Sequence, residues 1–167
     1  ARRGLQALAV HVAELLVERN ELESARDHLA TAEALGAHAF SPEHRFRWFV
    51  SMAQLREAEG NPDAALDLFA SAQRHYRRGF FPDARPIPAM RARILIEQGR
   101  LDEAAAAIDE LGLTGDDEPA YLSEYGQITL ARLLLSQGRT GEATELLGRL
   151  LAAAEAGGRA ARVTEIR

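Results

Sequence analysis

The chain has no cysteine, and every one of its 20 basic residues is arginine, so lysine is missing as well. Without cysteine there is no disulfide frame, no thiolate metal site and no thiol nucleophile. Without lysine there is no P-loop lysine, no Schiff-base chemistry and no lysine general base. Aromatic residues make up only 6%, and no run of about 18 apolar residues exists to cross a membrane. The opening Ala1-Arg2-Arg3-Gly4 lacks the apolar core of a signal peptide. No Gly-rich phosphate loop occurs, and a net charge of −5 is a poor basis for gripping a nucleic-acid backbone. These absences lead us to expect a cytoplasmic protein with no membrane segment and no direct nucleic-acid contact.

What the chain does have is a repeat. Four segments align on one breaker residue, Asn20, Gly60, Gly99 and Gly138, spaced by 40, 39 and 39. Seven residues before each breaker stands an alanine: Ala13, Ala53, Ala92 and Ala131. Five residues after each stands another: Ala25, Ala65, Ala104 and Ala143. Five before, the column reads Leu15, Leu55, Ile94 and Leu133; nine after, it reads Leu29, Phe69, Ile108 and Leu147. A helix that turns back on itself ends in a left-handed residue, which glycine adopts freely and asparagine next best. Paired helices ~8–10 Å apart leave room at their closest approach only for a small side chain. The large apolar columns then fill the space between neighbouring hairpins.

The helix boundaries follow the same grammar. Ser41-Pro42-Glu43 reads as an N-cap, a proline at the first helical position and an acidic first turn. Asn61-Pro62-Asp63 repeats it. Pro82, Pro86 and Pro88 separate the second and third pairs, and Pro86 or Pro88 suits a first helical turn. Gly112, Gly115 and Asp116-Asp117-Glu118-Pro119 separate the third and fourth. The pattern predicts helices over 4–19, 21–36, 42–59, 62–78, 87–98, 101–112, 119–137 and 140–156. After Gly157-Gly158, residues 159–167 begin a further helical pattern. The expected fold is therefore all-α: an α-solenoid of four tetratricopeptide-like hairpins (4–36, 42–78, 86–112 and 119–156) and the start of a fifth. We expect residues 1–167 to form one repeat domain, excised from a longer protein because Val163 and Ile166 lack a partner hairpin.

The alignment resembles tetratricopeptide repeats with a lengthened period. Two stretches are similar to the repeat region of MalT-like activators, the large ATP-dependent LuxR-type regulators. One is Tyr76–Arg93, centred on Phe80-Phe81-Pro82-Asp83-Ala84-Arg85-Pro86; the other is Asp116–Tyr125, running on to Leu130-Ala131-Arg132. The closing Leu150–Arg167, with Ala154-Glu155-Ala156-Gly157-Gly158-Arg159, is similar to the same region. The resemblance implies a central sensor that binds a small-molecule inducer or a regulatory protein. It would relay that event to a nucleotide-binding switch and a DNA-binding domain elsewhere in the parent. It implies no cofactor and no enzymatic activity for this piece. The competing expectation is a protein–protein scaffold with no small ligand.

A repeat superhelix offers its concave wall, lined by the first helix of each pair. Six residues before the breakers that wall would carry Glu14, Gln54, Arg93 and Arg132; thirteen before, it would carry Ala7, Arg47, Pro86 and Tyr125. Arg47, Gln54, Arg93, Tyr125 and Arg132 are the candidate ligand or partner residues. Guanidinium groups supply paired donors for a carboxylate, phosphate or sugar, and the tyrosine supplies a stacking face. The plainer alternative pairs Arg93 and Arg132 with Glu57, Glu97 or Glu124 in structural salt bridges, which contribute little.

The aromatic group Phe40, Phe46, Trp48, Phe49, Phe80 and Phe81 is expected mainly in the core, with Trp48 or Phe81 the exceptions. Arg45, Arg47, Arg74, Arg77 and Arg78 form a basic patch that a solvated face or an acidic partner would explain. The five histidines show no ligand spacing, and the acidic run at 116–118 lacks the alternating ligands of a calcium loop.

Overall fold

The structure, a computed structural model, describes residues 2–36, 41–77 and 84–166. Among these residues it is helical throughout, with no strand. The helices are α1 (Arg2–Glu18), α2 (Leu22–Ala34), α3 (Pro42–Ala58), α4 (Pro62–His75), α5 (Ile87–Glu97), α6 (Leu101–Asp109), α7 (Glu124–Ser136), α8 (Thr140–Ala156) and α9 (Ala160–Ile166). Consecutive helices pack in pairs, α1 on α2, α3 on α4, α5 on α6 and α7 on α8. The expected tetratricopeptide-like hairpins are present.

Every turn inside a hairpin closes in the same way. Asn20, Gly60, Gly99 and Gly138 take φ values of 59°, 77°, 72° and 76°. The next N–H then reaches back across the turn, Glu21 to the Leu16 carbonyl, Asn61 to Arg56, Arg100 to Leu95 and Arg139 to Leu134, each at 2.8 Å. This pairing satisfies carbonyls that the helix end would otherwise leave without a partner. The eight column alanines flanking these turns are fully buried. Leu55, Ile94, Leu133, Leu29, Phe69 and Ile108 are buried too. Leu15 departs from its column at 62% exposure, beside Leu5 and Leu8 on the same helix. Its counterpart Leu55 is covered by the first hairpin, joining Ala13, Ala25 and Leu29 in one cluster.

The chain divides into two compact units, Ala1–Phe81 and Pro82–Arg167. The division falls where the prolines separate the second and third hairpins. In a repeat array stability is a sum of neighbour contacts, so one repeat pattern can run through both units.

In the first unit Trp48 joins the core rather than standing apart as a ligand platform. It packs against the cluster around Leu29 and donates its indole N–H to the Leu29 carbonyl at 3.1 Å. Phe46 is buried. Gln6, also buried, donates to the carbonyls of Ala32 at 2.8 Å and Gly36 at 3.2 Å, capping the end of α2. Ser41 and Asn61 cap α3 and α4, accepting from the backbone N–H of His44 and Ala64. Phe40, Phe80, Phe81 and Arg78 lie outside the described residues.

In the second unit Ile128, Leu134, Leu146 and Leu150 gather around Ala131 and Ala143, and Ile166 of α9 rests against them. Helix α7 begins at Glu124, not at 119 as the acidic run before Pro119 suggested. Asp117 turns the chain locally instead, its carboxylate accepting from Thr114 N at 2.6 Å. Its carbonyl accepts from the Gln127 side chain at 3.1 Å, tying the loop to α7. Leu113 tucks against Gly126, where a Cβ would come within 2.6 Å of its methyl carbon. Helices α4 and α6 end three residues early, at His75 and Asp109.

Candidate functional site

A polar cluster lies in the second unit, on first helices α5 and α7 and on α9. Tyr125, Thr129 and Arg132 fall at successive turns of one face of α7. The Arg93 guanidinium of α5 lies 3.8 Å from the centroid of the Tyr125 ring. Its Nε donates to the Thr129 hydroxyl at 3.0 Å, and that hydroxyl donates to the Tyr125 carbonyl at 2.8 Å. Arg93 is thereby fixed from two sides by α7, the first helix of the next hairpin. Its Nη2 points on to Glu165 of α9, at 2.9 Å.

Glu165 is a meeting point for three arginines. Arg132 approaches the same oxygen as Arg93, at 3.4 Å, and Arg162 donates to the other at 2.6 Å. Burial opposes ionisation of this carboxyl, but the hydrogen bond from Arg162 and the charge and hydrogen bond of Arg93 outweigh it. The result is a carboxyl held below its usual range. Deeper in, Glu124 is only 2% exposed and accepts from Arg159 at 3.2 and 3.1 Å. Its second oxygen lies 3.4 Å from Arg162 Nε with no hydrogen bond. Four arginines thus face two carboxylates, an excess of two positive charges in an acidic chain.

In the first unit Arg47 forms a two-pronged ion pair with Glu14 of α1, its Nε donating at 2.9 Å. Ser51, one turn on, donates to the Arg47 carbonyl at 2.9 Å. Gln54 is half-buried on the same helix. Farther along, His75 stacks on Phe49 with ring centroids 5.3 Å apart. Burial, then the charges of Arg45, Arg74 and Arg77, hold its imidazole below the ordinary value.

A family model described as the MalT-like TPR region matches residues 2–167. The chain belongs to that family. No curated protein and no solved structure shows a significant match. As a MalT-like TPR region the chain is a repeat domain of the regulator type.

Set against that family, the candidate residues fall into two groups. Arg93, Tyr125 and Arg132 come together, as the shared repeat columns suggested. Arg47 and Gln54 belong to the other unit, where Arg47 is taken up by Glu14. The anticipated salt-bridge partners were wrong: Arg93 and Arg132 meet Glu165 rather than Glu57, Glu97 or Glu124. Sequence reasoning missed Thr129, Arg159, Arg162 and Glu165 in this MalT-like region. A usable signal was there, because Arg159, Arg162 and Glu165 recur every three residues along one face of the tail.

Elsewhere in the second unit, a recess of about 160 Å³ opens between the α6–α7 loop and α8. Arg149 lines it, with a buried Nε that has no partner among the described residues, but Asp116, Glu142 and Glu145 share the lining. No cluster of three His, Asp or Glu suited to a metal occurs among the described residues, and none of their helices is long and apolar enough to cross a membrane.

Proposed function

We propose that this MalT-like TPR region is an effector sensor. The arginine-lined face of its second unit takes a small-molecule inducer. Binding is relayed to the nucleotide-binding and DNA-binding parts of a cytoplasmic LuxR-type regulator. The chain acts by binding and does not catalyse a reaction. The observation that carries the reading is the cluster of Arg93, Arg132 and Arg162 beside Tyr125. It is a local positive excess on α5, α7 and α9, in a chain whose net charge is −5. Guanidinium groups held over an aromatic ring and fixed by a hydroxyl suit recognition of a polar, anionic small molecule.

A thermal-shift screen of metabolites tests this. A ligand at a hundred times its Kd stabilises by about 2.7 kcal/mol, which for a domain of this size raises Tm by roughly 5–10 °C. The rise should saturate and should disappear in Arg93→Gln. The absence of any saturable shift across the screen would count against the sensor.

A second reading, a protein-interaction scaffold, has one observation in its favour. Leu5, Leu8 and Leu15 leave an apolar stripe open on α1. Stoichiometric recovery of a partner protein, with no metabolite shift and with loss on Leu8→Glu, would favour it.

A further inference from the structure

We infer that the recess between the α6–α7 loop and α8 is a second ligand site, one that takes a free α-amino acid with an apolar side chain. It lies apart from the arginine face. Leu130 and Leu134, which α7 contributes to the recess, leave that helix on roughly the opposite side from Tyr125, Thr129 and Arg132. Every lining residue falls between Leu113 and Arg149, so the recess belongs to the α7–α8 hairpin and the loop before it.

The loop side of the recess is held in place. Thr114 N donates to the Asp117 carboxylate at 2.6 Å, and the buried Gln127 side chain donates to the Asp117 carbonyl at 3.1 Å. Leu113 is seated on Gly126, where a Cβ would come within 2.6 Å of its methyl carbon. On the helix side Leu134 is part of the core between α7 and α8. Leu113, Leu130 and Leu134 together give the recess an apolar floor. Its volume of about 160 Å³ is close to that of an apolar cavity of ~150 Å³ that admits benzene. A branched aliphatic or phenyl side chain fits that space.

The charges around the floor select the rest of the ligand. Arg139 and Glu142 satisfy each other through two hydrogen bonds, at 2.8 and 2.6 Å. Arg149, Glu145 and Asp116 take part in no ion pair among the described residues. Glu145 and Arg149 stand four residues apart on α8, the spacing at which opposite charges commonly meet, and here they do not. Arg149 instead has its Nε shut off from solvent and without an acceptor. A donor so placed carries a desolvation cost, which an entering acceptor removes. A carboxylate does so best, because it can take Nε and a neighbouring Nη together. A carboxylate alone would face the unmatched Asp116 and Glu145, and an amine alone would leave Arg149 unmet. An ammonium and a carboxylate on one carbon, with an apolar branch for the floor, answer all three demands.

The test titrates the whole chain by calorimetry with L-leucine, with L-phenylalanine, and with two analogues of leucine. One analogue is 4-methylpentanoate, which lacks the ammonium; the other is 3-methylbutylamine, which lacks the carboxylate. Leucine or phenylalanine should bind with saturation. Each analogue should bind at least about tenfold more weakly than leucine, the loss expected when a charged hydrogen bond is removed. Arg149→Gln should weaken leucine by a similar factor and leave the amine unchanged. Glu145→Gln combined with Asp116→Asn should weaken leucine and the amine but not the acid. Arg93→Gln, on the other side of α7, should leave leucine binding as it is. Far-UV circular dichroism confirms that each variant is folded, and the analogue series decides the charge requirement without any substitution.

Leucine binding that survives Arg149→Gln unchanged would overturn the site. Either analogue binding as tightly as leucine would overturn the amino-acid assignment. Loss of the leucine signal in Arg93→Gln would move the binding to the arginine face and overturn the second site. No saturable heat with either leucine or phenylalanine would overturn the inference as a whole and leave the recess to water. The sensor reading is judged separately, by the metabolite shift and its loss in Arg93→Gln.

Discussion

Replacing Gly99 by alanine isolates one physical quantity in the hairpin turn. Gly99 sits at φ 72°, and a Cβ built there meets no heavy atom within 4 Å. The substitution introduces no clash and removes no hydrogen bond, since Arg100 still donates to the Leu95 carbonyl. What remains is the left-handed backbone cost of an L-residue with a side chain, about 1–2 kcal/mol. Stiffening the unfolded chain offsets about 0.4–1 kcal/mol of it. The net loss is roughly 1 kcal/mol, which lowers Tm by about 2–4 °C for a domain of this size. Asn20 provides the converse, because it holds the same turn at φ 59°. Asn20→Gly should raise stability by a few tenths of a kcal/mol, roughly the preference of this backbone region for glycine over asparagine. Urea unfolding followed by circular dichroism measures both, with the slope checked for constancy. An unchanged midpoint for Gly99→Ala would refute the reasoning. So would a loss beyond about 3 kcal/mol, outside the range of backbone strain alone.

Three further outcomes are expected. Ala104 is fully buried where α5 and α6 approach, so Ala104→Leu should overpack that contact and cost about 1–3 kcal/mol in a thermal melt; unchanged stability would remove the repeat alignment's physical basis. The His75 imidazole is held below its ordinary value by burial and by Arg45, Arg74 and Arg77. The folded chain therefore resists a proton that the unfolded chain takes up. This contribution to stability is fully present above the ordinary imidazole value and is lost as the pH falls through it. An NMR titration of His75 with a midpoint at or above that of an unfolded peptide would contradict this. Glu124 anchors the base of α9 through Arg159, so Glu124→Gln should raise amide exchange at 160–166 while α8 keeps its protection; unchanged exchange there would show that the anchor lies elsewhere.

The hairpins were legible because each of their determinants is local or periodic. A left-handed C-terminal residue depends on a few neighbours, and a small residue at a crossing recurs with the repeat. Asn20 and the three glycines could therefore be placed, and so could the eight alanines. The start of α7 was misjudged for the opposite reason. Asp116-Asp117-Glu118-Pro119 has the composition of a helix entrance, but the position of α7 is set by contacts across the loop. Leu113 needs the space left by Gly126, and Gln127 needs the Asp117 carbonyl; neither pairing has a signature in the residues next to it.

The arginine site stands between these cases. The repeat register placed Arg93 and Arg132 in one column, and it put Tyr125 on the same wall. Their counter-charge lay 72 residues from Arg93, on α9. A column of like residues predicts proximity, because stacked hairpins bring equivalent positions together. It says nothing of what neutralises them, because ion pairing is chosen by whichever carboxylate can reach, and a partly exposed arginine tolerates several. The buried columns fix the arginines in space, and the carboxylate within reach completes the pair.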